Sequence, residues 1–394
     1  MATATVPSRQ ELVERARSLR PLLTAYAEQA DRDRVLAPEV VDAITEAGLF
    51  KLLVPKRLGG YETDVLTMLD VLTELSKGCV SASWVTGVLS FAAWQIGMFT
   101  DQAQRDVFEE NPDARVCWSL SAAVEVKPGE GGTIVSGRWP NASGSAQADW
   151  ALLGLPLAFG PRGPEFSMAL IPMSETTIDD TWDIAGVRGS ASNTIVAQEV
   201  FVPEHRWLAL AAATEEGAIL SPHTGETLYR TAWSVGGYAL LGSQLGVASA
   251  MLELVLERSE GKMIPAAGIM DQSEWATFQM EAAEAATKID AAIMLTRRDA
   301  EQVDAVSRRG ERMSQLDRAR IRNNQAWASN QLKEAAEILM VEAGVTAFFG
   351  ESPLQRMWRD LSVAHAHTGF RLKPNQEKYG RALTGKEVGP MPMG

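Results

Sequence analysis

The chain has 394 residues, of which 46% are hydrophobic and 22% charged; this excludes disorder as the main state and allows two or three domains around a large core. Its two cysteines, Cys79 and Cys117, exclude a disulfide scaffold and fit a reducing compartment, and its four histidines come with no CxxC or HExxH pair, so no metal site is expected. The net charge of −13, from 37 basic and 50 acidic side chains, opposes binding to nucleic acid or to an anionic membrane.

The N-terminal segment is charged early and lacks the apolar core of a signal peptide. No apolar run reaches about 18 residues, so no membrane span is expected and the expected location is the cytoplasm. Ser8 with Glu11 has the spacing of a capping box, followed by Leu12, Ala16, Leu19, Leu22 and Leu23 at helical period. Pro38 predicts the first turn of a second helix and Gly48 its end. Helices are predicted at about 65–77, 82–98 and 101–110, the middle one buried. These make a helical domain over 1–112. Residues 113–221 change character. The segments 131–139, 149–157, 165–173 and 193–203 read as short strands between turn residues, a pattern for an antiparallel β sandwich or barrel. Residues 222–394 are helical again, with Trp275, Phe278, Ala282, Ala285, Ile289 and Ala292 forming one apolar stripe, as in a four-helix bundle. The arginine-rich stretch 308–322 reads as a solvated or interface face.

P-loop, GxGxxG, GxSxG and kinase signatures are absent, which argues against an NAD-type Rossmann enzyme. Two segments stand out. Gly137 to Ser145 places Trp139, a turn and small hydroxyl residues between strands, suited to a flat ligand; an ordinary turn with a partly buried Trp accounts for the same pattern. The second holds Trp358, Arg359 and Asp360, followed by His365, His367 and Gly369, then Glu377 to Arg381. The two histidines are candidate acid/base groups, or structural histidines satisfied by hydrogen bonds.

The segment Asp180 to Asn193, with Trp182, Gly186, Arg188, Ser190 and Ser192, followed by Val200 to Pro203, resembles the middle-domain pattern of the acyl-CoA dehydrogenase superfamily. The loop 136–144 and the ending His367, Gly369, Glu377, Tyr379, Gly380, Arg381, Ala382, Leu383 and Gly385 are similar to its flavin-dependent monooxygenase branch. That branch includes oxygenase components of two-component aromatic hydroxylases, indole oxygenases, dibenzothiophene monooxygenase and amino-sugar N-oxygenases. The resemblance implies a mainly α fold with a central β domain, and reduced flavin (FADH2 or FMNH2) and O2 as cofactors. It also implies a separate NAD(P)H:flavin reductase as partner, a homotetramer, and hydroxylation of a small aromatic through a flavin C4a-(hydro)peroxide. His367 is then the acid/base and His365 the second choice, with Ser143 at flavin N5. Ser119, Ser121, Trp139, Arg188, Ser190, Ser192 and Arg258 are implied flavin contacts, Arg258 through phosphate. Trp94, Trp118 and Asn141 are implied substrate contacts. Ala92 stands where aromatic hydroxylases of the branch carry a histidine, and Asn141 where they carry a Phe. Both departures point to an indole-like or polycyclic substrate. Thr368 occupies the position of the dehydrogenase glutamate, which disfavours the desaturase alternative. Oxygenation at nitrogen or sulfur, and a non-catalytic scaffold, stay open.

Overall fold

The computed structural model describes residues 6–120, 123–160, 163–209, 214–215, 218–219, 223, 225–230 and 235–388. The capping box forms: the Ser8 hydroxyl accepts the Glu11 N–H and the Glu11 carboxylate accepts the Ser8 N–H, opening α1 (Arg9–Ser18). The apolar repeat through Leu23 is not one helix. It divides at Leu19, because Pro21 lacks an N–H and settles into the first turn of α2 (Arg20–Asp33). α3 (Pro38–Glu46) starts on Pro38, and Gly48 beyond its end takes φ 73°. Asp64 caps α4 (Val65–Ser76). α5 (Val80–Ile96) is buried along all 17 residues, and α6 (Asp101–Phe108) closes the N-terminal helices.

The strands form two four-stranded sheets. The first has the order β1 (Val116–Ser119), β4 (Trp150–Gly160), β5 (Gly163–Pro172), β8 (Trp207–Ala209), with β1 parallel to β4 and the other pairs antiparallel. The second is antiparallel throughout: β2 (Ala123–Gly129), β3 (Gly132–Ala142), β7 (Asn193–Pro203), β6 (Thr177–Asp179). Period-2 alternation explains how they pack. Ala151, Leu153 and Ile171 of the first sheet share a core with Val135, Trp139 and Ile195 of the second. Leu152, Met168 and Leu170, one residue out of step, pack against Ala92, Ile96 and Phe108 of α5 and α6. A short hairpin, β9 (Thr214–Glu215) and β10 (Ala218–Ile219), follows.

The C-terminal helices are α7 (Val235–Ser259), α8 (Ala276–Arg309), α9 (Gln315–Ala343), α10 (Pro353–His365) and α11 (Leu372–Leu383). Of the predicted stripe, Phe278, Ala282, Ala285, Ile289 and Ala292 are buried, while Trp275 precedes α8 as its half-buried N-cap. α7 is long and apolar enough to cross a membrane by composition, but 67% of its most apolar window is buried inside the fold. It passes α5 at a close crossing: a Cβ on Gly87 would meet the Ala239 carbonyl oxygen at 2.2 Å, and one on Gly236 would meet Phe91 at 2.9 Å. Gly87→Ala should therefore destabilise the protein by about 1–3 kcal/mol through overpacking, read as a lower urea midpoint at unchanged m-value. Gly350→Ala, where a new Cβ meets nothing within 4 Å, should stay within about 0.5 kcal/mol of the parent.

Candidate active site

The turn after β3 brings three serines from distant positions into one chain of hydrogen bonds. Ser143 follows β3. Ser190 ends a single 3-10 turn (Arg188–Ser190) flanked by Val187 (φ 53°) and Ala191 (φ 44°), both left-handed. The Ser190 hydroxyl donates to the Val187 carbonyl at 2.7 Å. Ser192 Oγ lies 2.8 Å from Ser190 Oγ, and Ser143 Oγ lies 2.7 Å from Ser192 Oγ. Trp84 Nε1, from α5, donates to Ser143 Oγ at 3.1 Å. All three serines are buried. The loops are tied by the Gly144 N–H to the Ser190 carbonyl and by the Ser145 hydroxyl to the Ala191 carbonyl, each 2.8 Å.

His367 stands on the other side of Trp84, the rings edge to face with centroids 6.1 Å apart. It caps a short turn after α10, its Nδ1 accepting the Gly369 N–H at 3.2 Å. Nδ1 is thus an acceptor, and the neutral ring carries its proton on Nε2. Burial, and then the positive charge of Arg322, push the imidazole down to about 4. At neutral pH His367 is a hydrogen-bond donor at Nε2. Further along α5, Phe91 stacks on Trp94 (5.6 Å) and meets Trp118 edge-on (5.8 Å). The backbone of Trp118 bridges that of Ser143, and its buried indole N–H has no hydrogen-bond partner among the described residues. Trp84, Trp118, Phe91, Ser143 and His367 therefore form one connected, mostly apolar wall with few polar atoms, the composition of a small-molecule site.

The other predicted residues fall elsewhere or are already engaged. His365 belongs to a separate buried chain: Ser329 donates to Gln244 Oε1 (2.6 Å), so His365 Nδ1–H donates to Ser329 Oγ (2.9 Å). Burial, then Lys333, lowers its pKa. Ser119 donates to the Pro140 carbonyl at 2.7 Å, pinning β1 to β3. Ser121 lies outside the described residues. Trp139 is completely buried between the two sheets and donates to the Gly154 carbonyl at 2.7 Å, so it belongs to the sandwich core and not to a cofactor wall. Trp94 is likewise completely buried, bonded to the Leu228 carbonyl at 3.1 Å, and supports Phe91 from behind. Asn141 is exposed with φ 61°; it serves a left-handed turn that Asn tolerates, and its side chain does not line the wall. Arg188 donates to the carbonyls of Asp31 (2.7 Å) and Ile184 (2.6 Å) and to Asp183 (3.0 Å), which makes it a clasp between α2 and the turn. Arg258 is exposed in the last turn of α7, about 33 Å along the helix from Gly236. It does not join the wall within one chain.

Three further residues complete the surroundings. Trp84 links Ser143 to His367. Arg322, inside the stretch read as solvated, is buried, and burial lowers its pKa to about 10; Arg320, two residues earlier, is tied to Asp299 at 2.8 Å. Asp360 is buried and accepts the Val187 N–H at 2.5 Å, holding the left-handed turn from below. Burial pushes the Asp360 carboxyl up to about 7, against the lowering effect of that hydrogen bond.

With this geometry in hand, the comparisons with known proteins are direct. Residues 8–108 match the family description "Acyl-CoA dehydrogenase, N-terminal domain" and residues 239–372 match "Acyl-CoA dehydrogenase, C-terminal domain". The chain belongs to that family, as a flavin-dependent monooxygenase. It is 30% identical to the oxygenase subunit HsaA of a flavin-dependent monooxygenase from Rhodococcus jostii (strain RHA1), over 95% of this chain and 99% of that one. It is also 30% identical to the oxygenase component of an FADH(2)-dependent resorcinol hydroxylase from Rhizobium sp. (strain MTP-10005), over 95% and 94% of the two chains. Among solved structures, XiaF from Streptomyces sp. in complex with FADH2 and glycerol superposes with a TM-score of 0.92 at 29% identity, covering 97% of each chain.

Two measurements check these electrostatics. In an NMR titration, His367 should protonate near pH 4, and Arg322→Met should move its midpoint up, since a nearby positive charge disfavours the imidazolium. Asp360 binds its proton more tightly folded than unfolded. Its contribution to stability is therefore fully present below about pH 4 and lost as pH rises through about 7. Asp360→Asn should flatten that part of the stability–pH curve in urea melts between pH 5 and 8.

Proposed function

We propose that this chain is the oxygenase component of a two-component system. It receives FADH2 or FMNH2 from a separate NAD(P)H:flavin reductase and uses O2 to hydroxylate a small aromatic molecule. The observation that carries the reading is the linkage of Ser143, Trp84, His367 and Trp118 into one wall: Trp84 bonds Ser143 and meets His367 edge to face, and the Trp118 backbone bridges that of Ser143. The full-length likeness to two oxygenases, one of them named for resorcinol and FADH2, supports it.

The donor set fits a flavin. Ser143 presents an acceptor, and Trp118 Nε1 is a buried donor without a partner among the described residues, so the wall offers complementary groups to the polar edge of a planar ring. Bound reduced flavin supplies two electrons to O2, with one oxygen atom going to substrate and the other to water. The protein's part is to exclude water and hold protons in place. Trp84, Phe91 and Trp118 keep the wall dry, and a dry wall strengthens each hydrogen bond made on it. His367 holds its proton at Nε2, ready to hydrogen-bond the reacting oxygen.

The quaternary assignment is a homotetramer. Met280, Met294, Val341, Val345, Phe348 and Phe349 are exposed on the C-terminal helices, and α11, which carries most of the C-terminal motif, has no buried residue. Arg258, distant from the wall in its own chain, is suited to reach a flavin phosphate held by a second copy. For the substrate, an indole-like or polycyclic ring is the finer assignment. It rests on Ala92, since the exposed Asn141 side chain no longer bears on pocket size.

The test combines the purified chain, a flavin reductase, 18O2 and a panel of phenols and indoles. One 18O atom per product is expected, with no turnover on NAD(P)H when the reductase is omitted. His367→Ala and Ser143→Ala should raise the hydrogen peroxide formed per product about tenfold or more. No labelled product from any aromatic, with reduction of bound flavin by an acyl-CoA, would establish the desaturase instead.

A further inference from the structure

The direction of the serine chain can be worked out proton by proton. The Val187 carbonyl can only accept, so the single hydroxyl proton of Ser190 is spent on it. The proton between Ser190 and Ser192 must then come from Ser192. The proton between Ser192 and Ser143 must come from Ser143. Trp84 Nε1–H, a donor with no acceptor capacity, occupies one lone pair of Ser143 Oγ. The chain runs one way, from Trp84 through Ser143, Ser192 and Ser190 to Val187. What Ser143 retains for a ligand is a lone pair and no proton.

The far end is anchored as firmly. The Val187 carbonyl also accepts the indole N–H of Trp182 at 3.1 Å, and the Val187 N–H is held by Asp360. A β-branched residue in left-handed backbone persists only where its surroundings hold it there. The carbonyl that ends the chain is therefore fixed in direction.

We infer that Ser192 and Ser190 are positioning residues that lock Ser143 as an obligate hydrogen-bond acceptor, so that the site discriminates between the redox states of its flavin. This rests on the reading that Ser143 faces flavin N5. Reduced flavin carries a hydrogen on N5 and donates to the Ser143 lone pair. Oxidised flavin presents a lone pair at N5, and two acceptors then face each other with no proton between them. Preference for reduced flavin is thus written into two hydroxyls that act through Ser143. The selected partner form is the one that arrives charged with electrons, and the spent form is released.

The experiment is equilibrium binding of oxidised and reduced flavin, the latter under anaerobic conditions, to the full-length protein and four variants, with melting curves to confirm folding. The parent should favour reduced flavin. Ser192→Ala frees the Ser143 proton to turn toward N5, and Ser190→Ala lets the chain reverse with the same result. Each should shrink the affinity ratio about five- to tenfold, chiefly by tightening oxidised flavin. Ser190→Thr retains the hydroxyl and should keep the parent ratio, which a purely structural loss would not do. An unchanged ratio in both alanine variants, with Ser143→Ala shifting it, would overturn the relay while leaving Ser143 at the flavin. An unchanged ratio in Ser143→Ala as well would show that Ser143 does not face N5 and overturn both the relay and that placement. Failure of the parent to bind either flavin form would overturn the flavoprotein reading itself.

Discussion

The burial of α5 on every side is the constraint from which the site follows. A helix with no solvent face must be surrounded. α4 and α7 lie against it on one side, and the first sheet with α6 lies on the other. Ordinary amphipathic helices have one fixed face and one free face. α5 has none free, so Trp84 and Phe91, seven residues apart on it, are held at both ends of the site by packing, Trp84 also by its hydrogen bond to Ser143. The aromatic wall is in effect an exposed part of the molecule's central core, and it inherits the rigidity of close packing.

The serine chain brings the same rigidity to the polar atoms. It joins the end of β3, the left-handed turn at Val187 and, through Asp360, the helix α10 that leads to His367. Gly186 makes that junction possible: a Cβ there would lie 2.3 Å from the Arg359 carbonyl oxygen. Arg359 in turn bonds Asp31 at 2.7 Å, and Arg188 bonds the Asp31 carbonyl. The N-terminal helices, the sheets and the C-terminal helices thus meet at one buttress beneath the reactive wall. Hydrogen bonds inside a protein gain strength from low dielectric, but only when every member is satisfied, and here each serine hydroxyl has its acceptor.

Much of this was legible in residue order. The turn residues that bound them marked the four long strands, and the Ser8–Glu11 spacing marked the first cap. The histidine–glycine and tyrosine–glycine ending marked the region of His367. What was not legible depended on three-dimensional direction. Pro21 divided a repeat that looked continuous. Trp139 and Asn141 read as one loop, but both lie on β3, where the pleat sends Trp139 into the sandwich and the left-handed backbone at Asn141 leaves that residue at the surface. Arg322 lies among solvated arginines at a spacing that turns it inward. Ser190 and Ser192 stood in the middle-domain pattern and Ser143 in the loop 136–144, but their hydrogen-bonded chain is a property of the folded loops and not of any stretch of chain. Trp84 gave no signal for the same reason: its indole N–H becomes informative only beside Ser143.

The contact at Gly87 has a consequence for how the molecule assembles. An amphipathic helix is told which way to turn by the division between its apolar and polar sides. A helix buried on every side receives no such instruction from solvent, because none of its faces has to stay in water. The notch at Gly87 against the Ala239 carbonyl supplies the missing instruction, since any neighbouring side chain presented there would collide with backbone. A hydrogen atom in place of a methyl group thereby acts as the key that indexes the helix, and the orientation of Trp84 toward Ser143 is read from it.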